Sequence, residues 1–161
     1  MAELARVHEG RLARRGYERG PVREFLIFAL GGEHYGVELT RIREIVSPPP
    51  ITPVPRAKSD VLGVCSVRGL LVTVVDLRKR LRLETPPATR RTRILLAQGD
   101  SGEVMGLMVD EVRHVVRLTE AEIEVASNVL GGDISDHVLG IGRPAGEAVL
   151  VLLDLGSIVS T

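Results

Sequence analysis

The stretch Gly36-Val-Glu-Leu-Thr-Arg-Ile-Arg-Glu-Ile-Val46 recurs further along the chain, without a gap, as Gly106-Leu-Met-Val-Asp-Glu-Val-Arg-His-Val-Val116. The apolar positions of the two copies coincide at 37/107, 39/109, 42/112, 45/115 and 46/116. A second block, residues 63–77, parallels residues 140–155 with one insertion. Because both blocks occur in the same order in the two halves, the sequence predicts an internal duplication.

Short apolar segments separated by turn residues surround both blocks. Gly31-Gly32, Arg68-Gly69 and residues 99–102 are the turn signals between pairs of these segments. Segments of this length that are rich in β-branched residues are typical of β-strands. The predicted strands are 25–30, 35–39, 61–67, 70–77, 93–98, 103–109, 112–118, 138–142 and 148–155.

A few segments carry helical rather than strand signals. Leu39, Ile42, Ile45 and Val46 recur at spacings of three and four, which predicts one or two helical turns. Residues 78–83 predict another turn of helix, and Thr119 with Glu122 forms a capping-box pattern for a third. Asp76 and Asp154 end matching strands of the two halves, so we expect them to cap the turns that follow.

The duplication and the strands together predict an all-β fold of two small barrels, each of about five strands, with short helices. A unit of roughly 60 residues has a thin core on its own, so the barrels should pack together and leave a groove at their junction. The expected division is a charged tail at 1–23, a first barrel at about 24–85 and a second at about 88–160.

Composition excludes several classes of protein. The chain has 161 residues with 21 Lys and Arg against 21 Asp and Glu, and only two Phe, two Tyr and no Trp. Balanced charge and few aromatic rings argue against a general nucleic-acid binder. There is one cysteine, no apolar run of about 20 residues and no signal-peptide pattern. We therefore expect a soluble, cytoplasmic protein.

The two halves differ at positions that a purely structural role would keep alike. Glu44 aligns with His114, and Arg68 aligns with Ala145. An acid and a base present in one half only indicate a function specific to that half. Glu44 and Arg68 are therefore the leading candidates for a functional site, with an incidental surface ion pair as the alternative.

Catalytic and metal-binding patterns are weak. The four histidines are scattered, and Cys65 lies in an apolar segment with no base nearby in sequence, so it reads as a small buried hydrophobe. We expect no enzyme activity, no cofactor and no metal site.

The chain resembles the CheW family, the adaptor proteins of bacterial chemotaxis, over residues 24–160. The resemblance rests on a series of short motifs in the family's order: Phe25-Leu-Ile-Phe-Ala-Leu-Gly-Gly-Glu-His-Tyr-Gly-Val37, Ile42-Arg-Glu-Ile45, Gly63-Val-Cys-Ser-Val-Arg-Gly69, Val74-Val-Asp-Leu77 and Gly106-Leu-Met-Val-Asp110. It implies two SH3-like barrels and a non-enzymatic role coupling chemoreceptor cytoplasmic tips to the regulatory domain of the chemotaxis histidine kinase. It also implies recruitment to membrane-associated receptor arrays.

The resemblance further implies which residues contact the receptor. The family's receptor-contacting arginine falls on Arg68 and its glutamate partner on Glu44. Apolar receptor-groove positions fall on Leu39 and Ile42, and turn glycines on Gly63 and Gly69.

Three alternatives remain open at this point. One is a CheW-like adaptor of a different chemosensory pathway, controlling pili or gene expression. Another is a free-standing copy of the kinase's regulatory domain. The third, from a different class, is a small-barrel nucleic-acid-binding module, since arginine greatly outnumbers lysine.

Overall fold

A computed structural model describes residues 21–126, 137–144 and 149–160. Within them lie eleven strands, two short α-helices, and 3₁₀ turns at Leu39–Arg41 and Glu120–Glu122. The helices are α1 (Leu77–Arg80) and α2 (Leu155–Ser160). The strands are β1 (Val22–Leu30), β2 (Glu33–Glu38), β3 (Ile42–Val46), β4 (Val61–Val67), β5 (Leu70–Asp76), β6 (Arg93–Gln98), β7 (Val104–Val109), β8 (Glu111–Thr119), β9 (Ile123–Val125), β10 (Val138–Gly142) and β11 (Leu150–Leu153).

The strands form two sheets, which confirms the all-β class. The six-stranded sheet has the order β8-β1-β2-β11-β10-β9, and the five-stranded sheet has the order β3-β6-β7-β5-β4. Most neighbours are antiparallel, but β2 pairs with β11 and β7 pairs with β5 in parallel. The described helices include none long and apolar enough to cross a membrane.

Both sheets repeat one topology. In the parallel pairs, Gly36 lies opposite Leu152 and Gly106 opposite Val74, and these are equivalent positions of the duplication. However, each sheet combines strands from both halves of the chain. In the six-stranded sheet, the β1–β2 hairpin of the first half joins β8, β10 and β11 of the second half. In the five-stranded sheet, the β6–β7 hairpin of the second half joins β3, β4 and β5 of the first half.

This exchange of hairpins differs from the predicted division into lobes at 24–85 and 88–160. The apolar pattern of the sequence identifies the repeated strands. It does not show which strands pair, because a strand buries the same side chains whether its partner lies in the same half of the chain or in the other half. Strand β1 also begins at Val22, inside the range assigned to the tail. The rest of that range, residues 1–20, lies outside the described residues, as do residues 127–136 and 145–148.

Three apolar clusters explain why the central strands are buried on both faces. Phe25 and Ile27 of β1 belong to the interior of the six-stranded sheet, while Leu26 and Phe28 face the main core shared with the other sheet. Strand β6 behaves in the same way: Ile94 and Leu96 face the interior of the five-stranded sheet, and Leu95 and Ala97 face the main core. Such strands read as continuous apolar runs rather than as alternating patterns.

The helical prediction for residues 39–46 is wrong beyond its first residues. A 3₁₀ turn covers Leu39–Arg41, and Ile42–Val46 is strand β3, paired with β6. Its β-branched residues favour a strand, and pairing with β6 decides against the helical spacing. The capping predictions are confirmed. Asp76 accepts a bond from the backbone N–H of Arg78, Asp154 accepts one from Ser157 at 3.4 Å, and Thr119 forms a capping box with Glu122.

Candidate functional site

Arg68 stands in a tight turn that is unusual for an arginine. Strands β4 and β5 are joined by two residues, Arg68 and Gly69, with φ angles of 51° and 82°. Positive φ at both central positions is the geometry of a type I′ hairpin, where Asn and Gly are the usual residues. A left-handed backbone costs a residue with a side chain about 1–2 kcal/mol, so arginine is not the residue that stability would select here.

Glu44 reaches the same place from β3. The Arg68 Nη1 donates to Glu44 Oε1 at 2.5 Å. The Arg68 side chain is 78% exposed and the Glu44 side chain 27% exposed, so this pair stabilises the fold by no more than about 1 kcal/mol. Its effect is to hold an otherwise mobile guanidinium in one orientation.

A bulge in β3 turns Glu44 toward this site. Ile42 lies opposite Ala97 on the main-core side, whereas Glu44 lies opposite Leu96 on the five-stranded interior side. Residues two apart in a regular strand share a face, and the extra residue of the bulge separates them. The equivalent irregularity in the six-stranded sheet lies between Ile27 and Phe28, opposite β8.

The ion pair borders a groove at the mouth of the five-stranded barrel. The groove has a volume of about 250 Å³ and is lined by Arg43, Glu44, Val67, Arg68, Leu70, Leu96 and Val104. Leu96 is buried and continues into the barrel interior, whereas Leu70 is 52% exposed and its neighbour Leu71 is 75% exposed. The site thus combines the oriented guanidinium of Arg68 with an apolar surface that is exposed to solvent.

The structure brings together only part of the predicted site. Glu44, Arg68 and Gly69 adjoin one another, but Leu39 and Ile42 are half-buried against the main core and do not line the groove. Gly63 also lies elsewhere: its φ is 146°, and a Cβ atom there would lie 2.1 Å from the carbonyl oxygen of Thr52. Gly63 therefore allows close approach of two backbones.

The sequence motifs do not indicate Val67, Leu70, Leu71 and Val104 as members of this site. A usable signal was present, because Leu70 and Leu71 are consecutive large apolar residues directly after the turn, while strand alternation buries only every second residue. Adjacent exposed apolar side chains of this size are a feature of protein-interaction surfaces.

Cys65 and the acidic residues show no catalytic or metal-binding arrangement in the described ranges. Cys65 is 3% exposed, and burial raises the pKa of its thiol, which favours the unreactive protonated form. Across residues 21–126, 137–144 and 149–160, no three His, Cys, Asp or Glu side chains cluster so that they could hold a metal ion.

Comparisons with known proteins agree on one family. A model of the CheW-like domain matches residues 24–161. The chain is 30% identical over 136 residues to the chemotaxis protein CheW of Rhizobium meliloti, covering 84% of this chain and 86% of that protein. It is 31% identical over 144 residues to Protein FrzA of Myxococcus xanthus, covering 88% of each.

A solved structure supports the same assignment. The crystal structure of the scaffolding protein TtCheW from Thermoanaerobacter tengcongensis superposes with a TM-score of 0.78 at 25% identity, covering 88% of this chain and 94% of that one. Its two-barrel fold confirms the predicted pair of SH3-like barrels. Since the domain model spans all of the chain from residue 24 onward and the relatives match over most of their length, the chain belongs to the CheW family of chemotaxis scaffold and adaptor proteins.

Proposed function

We propose that this chain couples the cytoplasmic tip of a chemoreceptor to the regulatory domain of the chemotaxis histidine kinase, and that it does so by binding alone, without catalysis. Recruitment to membrane-associated receptor arrays follows from that role. The position of Arg68 supports the proposal most strongly. Arg68 occupies a left-handed turn position, is held by Glu44, and borders an apolar groove.

The chemistry of the groove suits a helical receptor tip. An amphipathic helix binds a groove through apolar side chains spaced at three and four residues, and Leu70, Leu96 and Val104 line this groove with aliphatic side chains. The guanidinium of Arg68 presents a planar set of donors to carbonyl or carboxylate oxygens beside that helix. Because Glu44 already fixes the guanidinium, binding loses less side-chain entropy.

Calorimetric titration of the full chain with a receptor cytoplasmic fragment tests the proposal. We expect Arg68→Ala to weaken binding by about 1–3 kcal/mol while the unfolding midpoint barely changes. Arg56→Ala is the matched control, because Arg56 is also an exposed arginine with positive φ, at 63°. Unchanged receptor affinity in Arg68→Ala would remove Arg68 from the binding site.

A second candidate is an adaptor of another chemosensory pathway. The similarity to Protein FrzA, a relative that does not carry the CheW name, spans 88% of both chains and motivates this second candidate. Co-precipitation with the receptors and kinases of the native host distinguishes the two pathways, because each adaptor should retain its own receptor–kinase set.

A further inference from the structure

One end of the five-stranded sheet carries a large excess of positive charge. The start of β4, the end of β5, the start of β6 and the end of β7 lie at this end, as the pairs Val61–Val75, Asp76–Met108 and Arg93–Val109 require. Residues 54–60 and 76–93, which leave the sheet here, contain nine Lys and Arg against three Asp and Glu. Because the whole chain has zero net charge, the remainder carries a net charge of −6.

Two of the three acids in these two segments are used inside the fold, and the third, Glu84, is exposed. Asp76 accepts from Arg78 Nε at 3.0 Å, and Asp60 accepts from Arg80 Nε at 2.7 Å. The Arg78 and Arg80 side chains are only 6% and 5% exposed. These buried pairs leave the outer cations with little negative charge to balance them.

Four exposed cations define what we call the basic end: Arg56, Lys79, Arg82 and Arg90. None of the four forms an ion pair with any residue of the described ranges, whereas the neighbouring Arg91 lies 3.6 Å from Glu111. The basic end is thus a set of four solvent-exposed cations on the segments that leave one end of the five-stranded sheet.

Two of these residues occupy strained backbone positions. Arg56 has φ 63° in a turn closed by the Ala57 N–H and the Val54 carbonyl, and Arg82 has φ 61° just after α1. Glycine or asparagine is the usual residue at such positions. Arginine is disfavoured at both positions, and neither the Arg56 nor the Arg82 side chain has a partner in the described fold. A contact with another molecule therefore explains the presence of arginine better than a role in folding does.

We propose that the basic end binds an acidic segment of a partner protein. A nucleic acid fits less well, because Phe25 and Phe28 are fully buried and Tyr35 stacks on Phe28, so the described surface offers few rings for bases. The seven residues of β4 separate this end from Arg68 by about 20 Å. The surface is therefore distinct from the Arg68 groove and goes beyond the receptor contact proposed above.

Fluorescence anisotropy of a labelled oligo-glutamate peptide with the full chain tests this inference. We expect binding that weakens as salt increases, and a loss of about three- to tenfold in affinity for the double variant Arg56→Gly/Arg82→Gly. Glycine adopts positive φ freely, so this variant keeps its turns. Arg68→Gly removes one charge, half of what the double variant removes, from the same kind of backbone position, and should bind the peptide as the wild type does.

Three results would overturn the inference. The first is no salt-sensitive binding of the peptide to the wild type. The second is a loss of binding per arginine removed that is as large in Arg68→Gly as in the double variant, which would indicate non-specific electrostatic attraction rather than a defined binding surface. The third is tighter binding of poly-U than of oligo-glutamate, lost in the double variant, which would assign the basic end to nucleic acid.

Discussion

Arg78 and Asp110 form a 2.7 Å ion pair that ties the two sheets together. Arg78 belongs to α1, which follows β5 of the five-stranded sheet, and it also contacts Asp76. The second carboxylate oxygen of Asp110 accepts the backbone N–H of Gly31, in the β1–β2 turn of the six-stranded sheet, at 2.7 Å. Through Asp110, the buried Arg78 therefore links the β1–β2 hairpin of the six-stranded sheet to the five-stranded sheet, which holds the other repeated strands of the same half.

Replacement of Arg78 by methionine should destabilise the protein by about 3–5 kcal/mol, because it leaves Asp76 buried and Asp110 partly buried without their shared cation. Urea unfolding followed by circular dichroism measures the change. Arg113→Met is the control: Arg113 is 42% exposed, lies 3.5 Å from Glu111, and should change stability by less than about 0.5 kcal/mol. Equal effects in the two variants would contradict the structural role of Arg78.

Much of this fold could be predicted from the sequence. The duplicated blocks identified equivalent strands, and the structure pairs Gly36 with Leu152 and Gly106 with Val74 as equivalents. Turn residues and capping residues were predictable because their signals are local. The exchange of hairpins between the halves was not, because strand partners far apart in sequence leave no mark on apolar periodicity.

The site was predictable only in part. Asymmetry between the halves indicated Glu44 and Arg68 as candidates for a functional site, the family resemblance implied that they are partners, and the structure joins them by a hydrogen bond. The family resemblance implied that Ile42 is a receptor-groove position, but the β-bulge places it against the main core. A bulge depends on pairing with β6, so no pattern within β3 reveals it.

Gly63→Ala should destabilise the protein by more than about 2 kcal/mol, because the added methyl group would meet the carbonyl of Thr52 in a backbone with positive φ. Gly69→Asn is the comparison: a Cβ at Gly69 meets no atom within 4 Å, and asparagine tolerates its φ of 82°. We expect that variant to lose less than about 1 kcal/mol in thermal unfolding. A Gly63→Ala protein as stable as the wild type would disprove the close approach of Thr52.

Stability should depend on pH through Asp60. A hydrogen bond from Arg80 holds the pKa of Asp60 below its usual value. The stabilising effect is therefore fully present above the unfolded-state pKa of about 3.9 and is lost as the pH falls through the lower folded-state pKa. The difference in unfolding free energy between wild type and Asp60→Asn should be constant near neutral pH and shrink under acid. A difference that stays the same at every pH would refute this.

Glu44 should matter for binding and hardly at all for folding. Glu44→Gln removes the charge that orients Arg68, so we expect a loss of receptor affinity of up to about 1 kcal/mol and little change in the unfolding midpoint. A double-mutant cycle with Arg68→Ala measures the coupling, and Glu44→Gln should add little once Arg68 is gone. Additive losses would mean that the two residues act independently.

Co-sedimentation of receptor fragment, kinase and this protein tests the adaptor role most directly. With the wild-type chain, kinase should appear in the receptor pellet in proportion to the protein added, and receptor alone should retain little kinase. Arg68→Ala should abolish most of this recruitment, while Arg113→Ala, which replaces an exposed arginine outside both proposed surfaces, should retain it. Equal kinase in the pellet with and without the protein, or full recruitment by Arg68→Ala, would contradict the account.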